Sequence, residues 1–268
     1  MTITDLNKPL IRWAGSKRKL VPVLKENFPP SFKRYVEPFC GSACLFFSSK
    51  IHNGILSDIN EELINALDQI KNNSNIHSLI TSLPSTKEEY YRLRGLRPND
   101  LSKEERAVRF LYLNRYCFNG VYRTNKNGHF NVPRGNRTGA FPTKETFEKA
   151  QLRLRSIVLK SCDYRETLQD TNEGDFVYMD PPYTLHGKFT GEYGLNSFNS
   201  ENINDFIDQL AKLNQRGVKF LFSYRYDEEL QKRLQQNFNL ISVPVKRHVS
   251  GFKKNWQESR EILVKNYV

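Results

Sequence analysis

Four consecutive residues, Asp180-Pro181-Pro182-Tyr183, carry the sharpest chemical signal in this chain of 268 residues. They follow the apolar run Phe176-Val177-Tyr178-Met179, which has the length and composition of a buried strand. Two prolines fix φ and remove backbone donors, so the Asp180 carboxylate and its neighbouring carbonyls become outward acceptors on a stiff loop. A planar exocyclic amine has two N–H groups, and a carboxylate beside a main-chain carbonyl can accept both. Tyr183 offers an aromatic face on which a base can stack. The same residues would also serve as a strand terminator with a capping Asp and a packed Tyr.

Two further groups of residues could hold a ligand beside that loop. Phe39-Cys40-Gly41-Ser42-Ala43 follows Val36, and Asp58 stands seventeen residues after Gly41, at the end of Ile55-Leu56-Ser57-Asp58. In a doubly wound fold, a glycine turn after one strand admits an adenosine and an acid after the next takes its ribose hydroxyls. An ordinary strand-to-helix turn reads the same way. Near the N-terminus, Trp13, the Gly15 turn and Lys17 could stack on and hydrogen-bond a small ligand, or simply join the core.

The elements that must position these residues alternate. Leu63, Ile64, Leu67 and Ile70 share one helical face, and Ile203, Phe206, Ile207, Leu210 and Leu213 share another, closed by Gly217. Ile157-Val158-Leu159, the run from Val218 to Phe222, and Ile262-Leu263-Val264 have strand length and composition. Ala43 to Phe47 fits a core strand or a core helix. Alternation of this kind predicts an α/β fold with a mostly parallel sheet wound on both faces, whose ligands lie beyond the carboxyl ends of the strands. The middle of the chain departs from it. Ser102 and Glu105 form a capping box for a helix through Val108 and Leu111, and residues 118 to 140 carry two Asn-Gly pairs, at Asn119 and Asn127. This predicts an aromatic-rich hairpin within an inserted subdomain spanning 61–143, with the catalytic domain formed by 1–60 and 144–268.

The charge balance favours a polyanionic partner such as nucleic acid, or a membrane surface. Forty-one Lys and Arg face 29 Asp and Glu, a formal +12 with pI near 9.5. Residues 92 to 137 hold eleven basic and three acidic residues, 246 to 254 hold four basic and none acidic, and the remainder is balanced. Two such segments could flank a duplex and neutralise its phosphates, a DNA clamp whose second arm is a loop from Lys246 to Lys254. No stretch approaches the roughly 18 apolar residues of a membrane span, and the N-terminus lacks a secretory signal, so a cytoplasmic protein is expected. Cys40, Cys44, Cys117 and Cys162 lack C-x-x-C spacing and read as buried free thiols, with no metal site.

Together these motifs resemble the DNA adenine methyltransferase (Dam) family, N6-adenine enzymes that use S-adenosylmethionine, over nearly the whole chain. The run Phe110 to Tyr116, Asn119-Gly120, Arg123, and Gly128 to Gly135 resembles the family's target-recognition hairpin, and the motif order matches its alpha class. The resemblance implies a Rossmann-like S-adenosylmethionine-dependent methyltransferase core with an inserted helical and β-hairpin target-recognition subdomain. It implies cofactor contacts from Trp13, Lys17, Phe39, Gly41, Asp58 and Asp180, and a catalytic motif of Asp180, Pro181, Pro182 and Tyr183. It further implies a flipped adenine in double-stranded DNA, GATC as the target, and a monomer. The DNA-facing residues would be Arg12, Arg115, Phe118, Asn119, Arg123, Arg134, Lys246, Arg247, Lys253 and Lys254, with Arg123 reading a guanine or gripping a phosphate. In two places the chain departs from the family pattern. Ser16 stands where many members have a second glycine, and Ala43 stands at the second glycine of Phe-x-Gly-x-Gly, a change that is harmless only if that position has negative φ. RNA adenine, cytosine N4 and a non-catalytic DNA-binding regulator are the rival readings. Asp180, where cytosine enzymes usually begin with Ser, favours adenine, and the intact Trp13, Lys17 and Asp58 favour catalysis.

Overall fold

Strands buried on both faces carry continuous apolar runs, and such runs form the middle of the sheet. The computed structural model describes residues 10–136, 138–182, 200–248 and 256–268. Within them β1 (Tyr35–Glu37), β2 (Gly54–Asp58), β3 (Ile157–Ser161), β4 (Phe176–Met179) and β5 (Lys219–Arg225) run parallel. An antiparallel pair, β6 (Asn239–His248) and β7 (Trp256–Lys265), completes the order β3-β2-β1-β4-β5-β7-β6. The chain moves outward from β1 to β3, then returns to lay β4 against the other side of β1. That reversal is the topological switch point, where the loops after the two strands part and leave a crevice. The fold is thus a mixed α/β, Rossmann-like architecture with an antiparallel pair at one edge.

Side chains along the strands alternate between two apolar layers, as a period of two requires. Tyr35, Leu56, Phe176 and Tyr178 face one layer, and Val36, Ile55, Val177 and Met179 the other. The first layer is covered by α1 (Val21–Glu26), α2 (Cys44–Phe47), α3 (Glu61–Asn72), α4 (Ile76–Thr81), α5 (Lys87–Gly95), α6 (Lys103–Tyr116) and α7 (Lys144–Leu154). The second is covered by α8 (Tyr164–Gln169), α9 (Ser200–Gln215) and α10 (Glu228–Leu234). The predicted faces of α3 and α9 are the buried ones, Gly217 (φ +67) ends α9 in the left-handed conformation, and the Ser102–Glu105 capping box is closed in both directions. The run from Ala43 to Phe47 resolves as a helix. The first-layer core passes from the sheet through α3 into α6, Phe130 and Val132 without a break near residue 60.

The hairpin and the second charged arm differ from expectation. Of the two pairs, Asn127-Gly128 turns a hairpin, closed by Asn125 N to His129 O at 2.8 Å and the bridge Thr124–Phe130, with a second isolated bridge, Cys117–Arg134, at its base. Asn119-Gly120 instead belongs to one tight turn, Phe118–Gly120, with positive φ at both residues, 53° and 66°. β6 was not legible, because Pro244 and alternate polar residues interrupt it; an edge strand tolerates both. Lys246 and Arg247 consequently lie in β6, opposite Glu258 and Gln257, and not in a loop. Tyr183, Lys253 and Lys254 fall outside the described residues. Among the described residues no helix is long and apolar enough to cross a membrane, no three His, Cys, Asp or Glu residues cluster as metal ligands, and all four cysteines are free.

Candidate active site

The glycine loop after β1 is tied to β2 by main-chain donors. Cys40 N donates to Ser57 O at 2.9 Å, and Gly41 N donates to Asp58 Oδ2 at 3.0 Å. The other Asp58 oxygen accepts from Asn60 N at 3.0 Å, so the carboxylate both pins the loop and leads into α3, whose first turn Asn60 caps. Gly41 (φ +48) must be glycine for a second reason: a Cβ there would lie 2.7 Å from Trp13 Cδ1. The indole therefore rests on the loop backbone, and it also stacks on Tyr122 at 5.8 Å. Ser16 and Ser42 hydroxyls meet at 3.3 Å, joining the N-terminal turn to the same loop.

Ala43 does not have the negative φ that would make its departure from glycine harmless. It sits at φ 49, ψ 35, fully buried, immediately before α2. A left-handed alanine costs about 1–2 kcal/mol. The loop holds it there through Ala43 N to Cys40 O at 2.6 Å and Phe47 N to Ala43 O at 2.9 Å.

Asp180 ends β4 at the other lip of the crevice, with Pro181 buried behind it. Lys17 Nζ lies 3.1 Å from Asp180 Oδ1 and 3.4 Å from both oxygens of Glu261, which β7 contributes. Ser223 Oγ on β5 donates to Asp180 Oδ1 at 3.4 Å and meets the Tyr178 hydroxyl at 3.0 Å. Burial pushes the Asp180 carboxyl up to about 6 against the pull of Lys17. Glu37, 3% exposed at the end of β1, is pushed up to about 8 by burial and by the negative charges of Asp180 and Asp58, although it accepts from Tyr35 OH at 2.9 Å. Burial also raises Asp58, against the main-chain donors that favour its charge. Two carboxylates, Asp180 and Glu261, thus share one ammonium, with Glu37 close enough to feel the charges of Asp180 and Asp58.

The remaining predicted site residues divide. Phe39 lies on the second layer, 5.1 Å from Tyr164 and 6.4 Å from Phe206, away from Trp13. Arg12 exchanges main-chain hydrogen bonds with Asn114 and donates from its guanidinium to Arg115 O at 3.0 Å. Arg134 donates to Ser85 O at 2.8 Å and Arg115 donates to Ala140 O. Arg123 is exposed, braced at 2.8 Å by Asn131, while Phe118 (54% exposed) and Asn119 stand out at the adjoining turn. Beside the hairpin lies a cleft of about 400 Å³ with Arg94, Arg97, Arg109 and His129 in its lining. Of the other basic residues in this region, Arg92 pairs with Glu89 and Arg106 with Glu61 and Glu62.

The model of the D12 class of N6 adenine-specific DNA methyltransferases matches residues 13–249. The chain belongs to this family. It is an adenine-specific DNA methyltransferase, so DNA is its substrate and a methyl donor its second reactant. It is 32% identical over 273 residues to the type II methyltransferase M1.LlaDCHI of Lactococcus lactis subsp. cremoris, covering 97% of this chain and 95% of that one. It is 30% identical over 293 residues to the type II methyltransferase M.MjaIII of Methanocaldococcus jannaschii, covering 97% and 99%. It is 29% identical over 267 residues to the DNA adenine methylase of Haemophilus influenzae, covering 96% and 93%.

Four residues of the methyltransferase crevice escaped sequence reasoning: Glu37, Tyr122, Ser223 and Glu261. Glu37 and Glu261 did leave a trace, since each is a carboxylate abutting an apolar strand run. Such a residue is almost never fully buried without a partner.

Proposed function

We propose that this methyltransferase uses S-adenosylmethionine to methylate N6 of an adenine rotated out of duplex DNA, within GATC. The observation that carries the reading is the meeting of Asp180, Lys17, Trp13 and Asp58 at the switch point of the sheet. The residues fit the cofactor: it carries a sulfonium, an ammonium and a carboxylate, and the crevice offers Asp58, Asp180 and Glu261 together with Lys17, with the Trp13 indole as an apolar wall. When bound, it supplies an electrophilic methyl group on sulfur.

Adenine N6 is buried in the base stack, so the base must leave the duplex, at a cost of a few kcal/mol. Tyr183 is assigned the stacking face that replaces the lost neighbours. The N6 lone pair is conjugated with the ring and is a weak nucleophile. Hydrogen bonds from its two protons to Asp180 and the Pro181 carbonyl draw it toward sp³ geometry, and positioning does the rest. Lys17 and Ser223 both reach Asp180 Oδ1, and Oδ2 is the oxygen assigned to the incoming amine. With its pKa near 6, Asp180 is basic enough to take a proton as the amine becomes cationic.

Residues 61–143 are assigned to target recognition, with Arg123, Phe118 and Asn119 toward the bases and Lys246, Arg247, Lys253 and Lys254 toward phosphates. One chain carries both functions and acts as a monomer. GATC rests on the family that the motifs resemble. Incubation with labelled S-adenosylmethionine and duplexes that differ only in one GATC tests it: label recovered as N6-methyladenine only from GATC is expected. Label on adenines in other contexts, or none from that donor, overturns it.

A further inference from the structure

Lys17 lies between two carboxylates, and only Asp180 belongs to the catalytic motif. Its Nζ is 3.1 Å from Asp180 Oδ1 and 3.4 Å from Oε1 and Oε2 of Glu261. Glu261 is 1% exposed and arrives on β7, the antiparallel strand, in register with Arg225 of β5. We propose that Glu261 is a positioning residue that shares Lys17 with Asp180, giving the ammonium a second carboxylate to rest on so that Asp180 is released to accept the target amine.

The shared ammonium carries the inference. An isolated Lys17–Asp180 pair would be neutral, and an ammonium seated on Asp180 would compete with the amine for the same oxygens. Glu261 adds a second negative charge beside the one that Asp180 shares with Lys17. That charge stabilises N6 as it turns cationic during transfer, from groups already in place. A buried carboxylate is costly unless paired, so Glu261 keeps a standing claim on Lys17. Lys17 then has two seats about equally distant, and the approach of the amine decides between them. The other titratable groups whose charges act on Asp180 are Glu37 on β1, Tyr178 on β4 and Cys44 on α2. Of these, Cys44 also hydrogen-bonds the Lys17 main chain. The inference rests on the reading of Asp180 as the amine acceptor.

The experiment is steady-state methylation of a duplex oligonucleotide from about pH 5 to about pH 9, with wild type, Glu261→Gln, Glu261→Asp and Asp180→Asn, after thermal melts show that each is folded. Glu261→Gln keeps the shape and removes the charge. Its plateau kcat is expected to fall about tenfold, with KM for DNA unchanged within about twofold. Its acid limb should move down by about half to one pH unit, because Asp180 loses a negative neighbour. Glu261→Asp keeps the charge and should bring the limb back toward the wild-type midpoint, a rescue that packing alone would not produce. A wild-type plateau and midpoint in Glu261→Gln would overturn the inference, as would equal losses in both Glu261 variants with an unmoved midpoint. Near-normal methylation by Asp180→Asn would instead overturn the reading beneath it.

Discussion

The crevice and the recognition loops are both rich in charge, yet opposite means hold them in place. In the crevice, side chains answer side chains: Lys17 pairs with Asp180 and Glu261, and Tyr35 donates to Glu37. Around the loops, three cations answer the backbone: Arg12, Arg115 and Arg134 donate to the carbonyls of Arg115, Ala140 and Ser85. Buried carboxylates demand a partner cation or a proton, which fixes their geometry. A loop held by two isolated bridges has few cross-strand hydrogen bonds of its own, and arginine forks add to them. A basic segment is therefore only partly a measure of what is left for DNA.

The comparison breaks most visibly at Asp180. Asp180→Ala is expected to lower methylation about a thousandfold or more, the scale of removing one preorganised polar group from a reacting centre. Gel-shift affinity for duplex DNA should stay within a few-fold, because the loops do not depend on that carboxylate. Loss of both together would mean that the two regions are one unit.

Glu37 tests the crevice from the side of stability. Its folded pKa, about 8, exceeds the ordinary 4.5, so the native state binds more protons than the unfolded chain between those values. Stability should therefore fall as pH rises through that window. Glu37→Gln removes the ionisation. The variant should match wild type near pH 5 and exceed it by a few kcal/mol by about pH 8.5, read from urea midpoints. A constant difference across pH would show that Glu37 is charged throughout.

Arg123 and Arg134 separate reading from bracing. Arg123→Ala removes an exposed side chain and should leave melting unchanged while relaxing preference at one base pair by about 1–3 kcal/mol. Arg134→Ala strips the donor from Ser85 O and should cost about 1–2 kcal/mol of stability, weakening binding to all sequences alike. Uniform weakening by Arg123→Ala would make it a phosphate contact.

What could be read beforehand follows the same division. Parallel strands, the faces of α3 and α9, and the three crevice motifs are contiguous in sequence and have a period, so residue type alone located them. Glu261 could not be found that way, since its partner Lys17 is 244 residues distant and only the sheet order brings them together. The bracing arginines were equally hidden, because a main-chain carbonyl is the same at every residue and leaves no mark in the sequence. β6 was obscured by Pro244 and its polar positions, which an edge strand accepts.

The smallest effect is expected within the glycine loop, where two left-handed residues stand two apart. Gly41 at φ 48 has the Trp13 ring where a Cβ would go, so Gly41→Ala adds a clash to the backbone strain. It should lose about 2 kcal/mol of stability and weaken donor binding, read by calorimetry. Ala43 at φ 49 has the same backbone strain with its methyl fully buried. Replacing it by glycine relieves about 1–2 kcal/mol of strain. Against that stand about 0.8 kcal/mol of lost methyl burial and about 0.5–1 kcal/mol of extra freedom in the unfolded chain. The opposing effects nearly cancel, and Ala43→Gly should change stability by less than about 0.5 kcal/mol, which explains how alanine stands at a left-handed position without loss. A gain well beyond that would show that the buried methyl contributes little and that the loop carries strain its packing does not offset.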